Sequence, residues 1–309
     1  MSDKIQDVIM IGAGPSALTA AIYTTREDIG TVLYERAVVG GLAAITDKID
    51  NYPGFPDGIE GLTLTEQMRK QSEKFGAKIE VGEVTAIRDE GAQKVVTVDG
   101  VEIKTKVVLI ATGSGYNKIG IPGETEYYGK GVHYCATCDG AFYRNKRLVV
   151  VGGGNSAVQE AIFLTRFASH IDLLARSTVK ASDILQRELQ KSVDAGKITV
   201  HIGTTTDEII TTDGHVTSVR VTTNSKSITI ETDGVFIFAG LRPNTQFLTD
   251  SGVELDEVGF IKTDAKLQTN IPGIFASGDV RSGATMQIAS AVGEGATAAL
   301  SIREYLHNL

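Results

Sequence analysis

Two segments of this chain repeat one pattern of strand, glycine-rich turn, helix and strand. Residues 7–35 read DVIMIGAGPSALTAAIYTTREDIGTVLYE and residues 147–175 read RLVVVGGGNSAVQEAIFLTRFASHIDLLA, a constant offset of 140 positions. Each copy places G-x-G-x-x-A directly after an apolar strand and opens an alanine-rich helix with it, as in a βαβ unit of about 30 residues. The repeat predicts an α/β fold with two Rossmann-like, doubly wound nucleotide-binding domains.

The remaining sequence predicts β-rich additions and two short linkers. Residues 79–110 and 198–240 read as alternating strands, which we interpret as antiparallel β additions. Short segments containing Gly, Pro and Asn flank the central block and are typical of linkers. The simplest partition inserts the second domain into the first, so that residues 1–115 and 245–309 form one discontinuous domain and residues 116–244 form the other.

Composition and charge narrow the classes of partner. The 309 residues carry a net charge of −8, which argues against nucleic acid or an anionic membrane because phosphate binding needs a concentrated basic surface. No uninterrupted apolar run reaches the roughly 18 residues of a membrane span. The chain has two cysteines, too few for a disulfide framework, and this favours a reducing compartment, the cytoplasm.

The first glycine-rich turn has the residues that a dinucleotide needs. Gly12 permits the tight turn, Gly14 lets the backbone approach a pyrophosphate at the helix N-terminus, and Ala17 allows close packing of helix and strand. Glu35 ends the next strand, where an acid bonds a ribose hydroxyl. The cluster predicts a dinucleotide but does not say which one.

A second acid follows an apolar strand near the C-terminus. Residues 274–280 read IFASGDV, so Asp279 lies at the carboxyl edge of a strand, where ligands bind in open α/β sheets. The alternative reading is an N-cap for the following helix. The residues alone leave both readings open.

Both cysteines lie in one octapeptide, HYCATCDG, at residues 133–140. Zinc needs about four ligands and the histidines are scattered, so no metal site is expected. A structural bond between Cys135 and Cys138 would close too small a loop to restrain the unfolded chain much. A reversible dithiol fits better, with Asp139 available to exchange protons with thiols. Asp139 is alternatively a cap or turn former, and His133 alternatively a structural residue.

The stretches GAGPSA, CATCDG, GGGNSA and ASGDV, in this order, resemble the low-molecular-weight thioredoxin reductase family of FAD-dependent pyridine nucleotide-disulfide oxidoreductases. The resemblance covers essentially the whole chain, and its most specific part is CATCDG. It implies a thioredoxin or thioredoxin-like partner, a homodimer, and an inserted domain that rotates to expose the flavin alternately to reductant and dithiol. It also implies that Cys138 accepts electrons from the flavin, that Cys135 attacks the substrate disulfide, and that Asp139 is the acid/base.

The same resemblance assigns FAD contacts by position. It implies pyrophosphate contacts in the first turn, a ribose contact at Glu35, a Gly-Gly pair beside the flavin, an asparagine near the ring and an Ala-Thr-Gly segment passing the cofactor. The positions are Gly12, Gly14, Pro15, Ala17, Glu35, Gly40, Gly41, Leu42, Asn51, Ala111, Thr112, Gly113, Gly278, Asp279, Gln287 and Ile288. Leu42 departs from the family, which usually has glutamine there, and this loses a polar contact to the ring.

The second glycine-rich turn departs from the family where a nicotinamide nucleotide would be recognised. Ala175 stands where the first copy has its acid, and Ser177 replaces one of the family's paired arginines. The candidate second nucleotide contacts are Gly152, Gly154, Asn155, Ser156, Ala157, Arg176 and Lys180. Loss of an arginine fork weakens binding of a 2′-phosphate without excluding it. The electron donor is therefore left open between NADPH or NADH, ferredoxin, and a route through an additional flavin.

Two other functions compete with disulfide reduction. One is a non-catalytic, flavin-binding redox sensor that uses the dithiol as its switch, because the nicotinamide signatures are incomplete. The other is an enzyme similar to ferredoxin–NADP reductases of the same architecture, which lack the dithiol. The cysteine pair counts against this third function.

Overall fold

The computed structural model describes residues 5–46 and 48–309, which fall into two compact units. The first unit takes its described residues from Met1–Gly115 and Arg242–Leu309, and the second unit is Tyr116–Leu241. The second unit thus ends three residues before the predicted position 244. Asn244 exchanges hydrogen bonds with Thr112 inside the first unit, with Oγ1 to carbonyl and Nδ2 to carbonyl distances both of 2.8 Å.

The first unit is built on a mixed sheet, with strands and helices numbered along the whole chain. Its elements are β1 (Gln6–Ile11), α1 (Pro15–Thr25), β2 (Thr31–Glu35), α2 (Gly41–Ala44), α3 (Gly61–Lys74), β3 (Lys78–Val81), β4 (Val84–Glu90), β5 (Gln93–Val98), β6 (Val101–Ile110), a 3₁₀ turn (Gln246–Leu248), β17 (Ile274–Ala276) and α7 (Ile288–His307). The strand order is β3-β2-β1-β6-β5-β4, with β17 also pairing β6. The β3-β2-β1-β6-β17 pairs are parallel and the β6-β5-β4 pairs are antiparallel.

Alternate side chains of β1 bury on opposite faces of this sheet, as the two-residue period of a strand requires. Val8 and Met10 pack with α1, α3 and α7, whereas Ile9 and Ile11 pack with the opposite cluster. Helix α7 approaches α1 so closely that a Cβ at Gly295 would collide with the Ser16 carbonyl oxygen. Both faces of the strand are therefore covered, which explains its continuous apolar sequence.

The second unit repeats the parallel core on a smaller scale. Its elements are β8 (Val132–His133), α4 (Ala136–Asp139), a 3₁₀ turn (Gly140–Tyr143), β9 (Arg147–Val151), α5 (Asn155–Leu164), β10 (His170–Ala175), α6 (Asp183–Asp194), β11 (Ile198–Ile202), β12 (Thr204–Thr212), β13 (His215–Thr223), β14 (Lys226–Glu231) and β15 (Gly234–Ile237). The parallel sheet has the order β11-β10-β9-β15-β8. Strands β12, β13 and β14 form a separate antiparallel sheet.

Different elements pack on the two faces of the parallel sheet in the second unit. Leu148 and Val150 of β9 pack with α5 and α6, whereas Val149 packs with the antiparallel sheet. The structure thus confirms an α/β fold with two Rossmann-like βαβ cores and antiparallel additions.

Strands β7 (Ser114–Tyr116) and β16 (Leu241–Pro243) lie where the chain passes between the units, and they pair with each other. Across the described residues, no helix combines the length and the apolar character that crossing a membrane would require.

Candidate functional site

The turn after β1 is shaped by two glycines with different roles. Gly12 has φ of +94°, and a Cβ there would lie 2.6 Å from the Ala111 carbonyl oxygen, so a larger residue is strained in both respects. Gly14 precedes Pro15, the first residue of α1, and no atom lies within 4 Å of a Cβ built on it. Ala17 is fully buried. The turn is therefore tight on the protein side and open in front of the helix N-terminus, where an anion is favoured.

Glu35 fixes this turn as well as ending β2. Its carboxylate accepts hydrogen bonds from the Ala13 N–H at 2.8 Å and from the Ala37 N–H at 2.9 Å. A carboxylate has about four acceptor sites, so two backbone contacts leave capacity for ribose hydroxyls. The sequence pattern predicted an acid at the end of this strand, but it did not predict the hydrogen bond between the acid and the glycine-rich turn.

Gly278 and Asp279 follow β17 and lie beside the start of α1. A Cβ at Gly278 would lie 3.1 Å from the Ser16 Cβ, and the Ser16 and Ser277 hydroxyls are 2.7 Å apart. Burial, helped by the charge of Glu294, raises the pKa of Asp279 to about 6. Helix α7 begins at Ile288 with Gln287 as its N-cap, so Asp279 does not cap it. Hydrogen bonds from a ligand would stabilise the charged form of this carboxyl group.

Glu294 of α7 organises this edge and was not found by sequence reasoning. Its carboxylate accepts from the Gly278 N–H at 2.8 Å and pairs with the Arg281 guanidinium at 2.6 Å, both groups being largely buried. The only sequence signal was an acid within the small residues of the last helix, which does not identify its partner.

Asn51 and Gln287 meet although they are 236 residues apart, with Asn51 Nδ2 donating to Gln287 Oε1 at 3.0 Å. The structure therefore brings together two polar side chains from the positions that the resemblance assigns to FAD.

The Gly-Gly pair begins the short helix α2 next to the first turn. A Cβ at Gly40 would collide with Thr65, the nearest approach being 2.5 Å, whereas a Cβ at Gly41 would meet Gly14 Cα at 3.8 Å. The Leu42 side chain is exposed. Gly113 follows Ala111 and Thr112 after β6, and no atom lies within 4 Å of a Cβ built on it. Small residues from three chain segments thus surround open space at one edge of the sheet, and the acids Glu35 and Asp279 flank it. This arrangement fits FAD.

The dithiol lies in the second unit as a disulfide between Cys135 and Cys138, with their Cα atoms 5.3 Å apart. Cys135 is the N-cap of α4, and its sulfur accepts the Cys138 N–H at 3.2 Å. Both residues are partly exposed. When the bond is reduced, the same N–H is positioned to stabilise a thiolate at Cys135, the form that reacts.

Asp139 ends α4 and points to a histidine rather than to the helix backbone. Its Oδ2 lies 3.1 Å from Nδ1 of His133, and Nε2 of that histidine lies 2.7 Å from the Tyr143 hydroxyl. Burial, and then the Asp139 charge, raise the pKa of Tyr143. Asp139 makes no capping hydrogen bond at the following 3₁₀ turn. Tyr143 was missed from the sequence, because nothing in the spacing signals that it faces β8.

The second glycine-rich turn lies between β9 and α5, and the segment after β10 folds onto it. The Lys180 N–H donates to the Gly153 carbonyl at 2.6 Å, and the Ser182 N–H donates to Asn155 Oδ1 at 2.8 Å. Ala175 is fully buried at the end of β10. The candidate contacts Gly154, Asn155, Ser156, Arg176 and Lys180 are exposed, Gly152 is partly exposed and Ala157 is buried.

Comparison with known proteins agrees with this architecture. The family model described as pyridine nucleotide-disulphide oxidoreductase matches residues 6–295. The thioredoxin reductases of Bacillus subtilis (strain 168) and Listeria innocua are each 42% identical to this chain, over 99% of it and 96% of each relative. The structure of thioredoxin reductase from Streptococcus pyogenes MGAS5005 aligns over 100% of both chains with 38% identity and a TM-score of 0.94. The chain belongs to the pyridine nucleotide-disulphide oxidoreductases and, among them, to the low-molecular-weight thioredoxin reductase family of FAD-dependent thiol–disulfide oxidoreductases.

Proposed function

We propose that this enzyme passes electrons from FAD to the Cys135–Cys138 pair and from there to the disulfide of thioredoxin or a thioredoxin-like protein. The disulfide within CATCDG, followed by a carboxylate 3.1 Å from the His133 ring, carries the proposal. The relatives named as thioredoxin reductases support the choice of partner.

The two cysteines have different roles in the proposed exchange. Cys138 receives the electrons, which breaks the bond between the two sulfurs and gives a dithiol. The Cys135 thiolate then attacks the partner's disulfide; a bond forms between Cys135 and one partner sulfur, and the other leaves as a thiol with a proton from Asp139. Attack by the Cys138 thiolate on the mixed disulfide releases the second thiol and restores the Cys135–Cys138 bond. Two electrons and two protons reach the partner.

FAD supplies reversible two-electron chemistry when it is bound. The Gly12–Gly14 turn and the N-terminus of α1 would hold its pyrophosphate, Glu35 its ribose and Asp279 its ribitol chain. Asn51 and Gln287 would border the ring as a hydrogen-bonded pair. The open space in front of Gly14 and the partly buried Asp279 carboxyl, whose pKa is raised, support these assignments.

We propose a donor other than NADPH, with reduced ferredoxin as the first candidate. The second unit lacks an acid at Ala175, has serine at Ser177, and offers Arg176 and Lys180 as exposed cations without an arginine fork. One lost charged hydrogen bond costs about 1.5–3 kcal/mol, roughly tenfold or more in affinity. A lower affinity for NADPH does not affect the thiol exchange at the cysteine pair.

An anaerobic experiment tests donor and function separately. The purified flavoprotein is mixed with NADPH, NADH or reduced ferredoxin, and bleaching of the flavin band is followed before and after addition of oxidised thioredoxin. We expect ferredoxin to bleach the flavin faster than either nucleotide, and reduced thioredoxin to accumulate with the parent but not with Cys135→Ser. Flavin that is reduced without thioredoxin turnover in the parent would instead favour the redox sensor. A colourless protein would contradict the FAD assignment.

The family also suggests a homodimer and a cytoplasmic setting, and we include both in the proposal. Light scattering of the purified protein tests the first, and subcellular fractionation tests the second.

A further inference from the structure

The octapeptide contains a histidine whose ring nitrogens both have polar partners. His133 of β8 is buried and lies between Asp139 and Tyr143, at 3.1 Å from Nδ1 to Oδ2 and 2.7 Å from Nε2 to the hydroxyl. Its ring stacks on Phe236 at a centroid distance of 5.1 Å. Buried polar rings keep such a geometry only where their hydrogen bonds are satisfied, so the ring is fixed in position and orientation.

The two partners determine which nitrogen carries the proton. Nδ1 faces a carboxylate, which only accepts hydrogen bonds, whereas the Tyr143 hydroxyl can donate or accept. A neutral ring protonated at Nε2 would aim the Nδ1 lone pair at the carboxylate, which is repulsive. The neutral Nδ1–H form and the imidazolium are both favourable, because each of them turns an N–H toward Asp139. The carboxylate therefore selects the proton on Nδ1, and the Tyr143 hydroxyl, which suits either form, holds the ring through Nε2.

We infer that His133 is a positioning residue for thiol–disulfide exchange, which holds the Asp139 carboxylate through the 3.1 Å contact between Nδ1 and Oδ2 and is itself oriented by the hydrogen bond to Tyr143. The inference rests on the proposed function, in which Asp139 exchanges protons with the thiols. Among the described residues no other side chain bonds this carboxylate, so its second oxygen, Oδ1, stays available for a thiol proton. The acid then works from one fixed place.

The proton balance shows where this matters. Asp139 takes the proton of the Cys135 thiol as the thiolate attacks, and it returns that proton to the leaving sulfur of the substrate. The carboxylate thus begins and ends the step ionised, and the contact with His133 Nδ1 keeps it in one place while the proton moves. His133 neither gains nor loses a proton in this step.

Other charged or titratable groups near the triad are few among the described residues. Tyr128 and Tyr143 feel the Asp139 charge, and Tyr143 also feels Asp233. The Lys146 ammonium lies 5.7 Å from the centre of the Tyr143 ring. Variants at His133 itself separate its effect on the exchange rate from the effects of these neighbours.

The test uses the complete flavoprotein in a single exchange step that needs no electron donor. The protein is reduced with dithiothreitol without oxygen, desalted, and mixed with hydroxyethyl disulfide between about pH 5 and 9. Free thiols are trapped with N-ethylmaleimide at successive times and counted by mass spectrometry. Hydroxyethyl disulfide is an alkyl disulfide with a poor leaving group, so its cleavage depends on a proton donor. Failure of thioredoxin turnover in the donor experiment leaves this measurement intact, so the two failures are distinguishable.

Five proteins are compared: the parent, His133→Asn, His133→Phe, Tyr143→Phe and the double variant that combines His133→Asn with Tyr143→Phe. Asparagine keeps an N–H donor near the place of Nδ1, and phenylalanine keeps the ring stack without a donor. We expect His133→Phe to slow exchange about tenfold. We expect His133→Asn to stay within about threefold of the parent. Tyr143→Phe should slow the parent but not His133→Asn, because asparagine has no Nε2 for the Tyr143 hydroxyl to hold.

Two results would overturn the inference. One is a His133→Phe protein with the exchange rate of the parent, and the other is a His133→Asn protein as slow as His133→Phe. Flavin content and the unfolding temperature of each variant show whether it has folded. If His133→Phe does not fold, the effect of Tyr143→Phe in the parent and in His133→Asn decides alone, since equal slowing in both would refute an action of Tyr143 through the His133 ring.

Discussion

Replacing Asp279 by asparagine should raise the stability of the flavin-free protein and lower its affinity for FAD. Without a ligand, burial and the charge of Glu294 raise the pKa of Asp279 from the ordinary 3.8 to about 6. This difference corresponds to about 3 kcal/mol of unfavourable free energy for the charged form at neutral pH. Asp279→Asn removes the charge, so the flavin-free protein should gain between about 1 and 3 kcal/mol at pH 7, part being lost because the amide is also buried.

The sign of the pH dependence follows from the same shift. A carboxyl whose folded pKa is raised binds its proton more tightly when folded, so its contribution to the free energy of unfolding falls as pH rises from 3.8 to about 6 and is constant above that. Flavin-free parent protein should show this fall and Asp279→Asn should not. Urea unfolding of both proteins at several pH values measures it, with Asp250→Asn as a control that removes an exposed acid from the same unit.

Cofactor binding should respond in the opposite direction. If the Asp279 carboxylate accepts a hydrogen bond from the ribitol chain, its loss costs about 1.5–3 kcal/mol, and Asp279→Asn should bind FAD roughly tenfold or more weakly. Flavin fluorescence during titration of flavin-free protein gives this affinity. The reasoning is refuted if Asp279→Asn is no more stable than Asp250→Asn at pH 7, or if the gain in stability persists unchanged at about pH 3.

Three other substitutions test residues that support the local structure of the protein. Glu35→Gln keeps one acceptor oxygen for two backbone N–H groups, so unfolding free energy should fall by about 1–2 kcal/mol and FAD should be lost faster on dilution. Gly12→Ala places a Cβ against the Ala111 carbonyl at positive φ, and thermal unfolding should show a loss of about 1–3 kcal/mol. Burial of Asp172 raises its pKa, but the His201 hydrogen bond and nearby positive charges lower it below 3.8 overall. The associated stability is present above 3.8 and lost at lower pH, so acid unfolding should begin at higher pH in His201→Ala.

The periodic part of the structure could be read from the sequence. The 140-residue repeat predicted β1-α1-β2 and β9-α5-β10, because strand alternation, glycine-rich turns and alanine-rich helices are local signals. The same local signals placed Glu35 at the end of β2 and Asp279 after β17. Such residues occupy positions that their own element determines.

The contacts that orient these residues could not be read in the same way. Glu35 bonds the turn 22 positions earlier, and Asn51 reaches Gln287 across 236 positions. His133 meets Tyr143 only because the chain turns back between β8 and β9. Each pairing depends on tertiary packing, and the residue types involved are common enough that spacing alone does not single them out.

The second glycine-rich turn shows how one motif combines packing requirements with ligand requirements. A Cβ at Gly152, which has φ of +142°, would lie 2.7 Å from both the Ala157 Cβ and the Phe238 carbonyl oxygen. Gly152 and the buried Ala157 are therefore needed by the fold whether or not a nucleotide binds. Gly154 differs, because its φ of −88° suits any residue and nothing lies within 4 Å of a Cβ built there. Of these three positions, only Gly154 could be replaced without strain if the turn bound no ligand. A glycine there is explained by close approach of a phosphate, and that explanation applies equally to a nicotinamide nucleotide and to a second flavin.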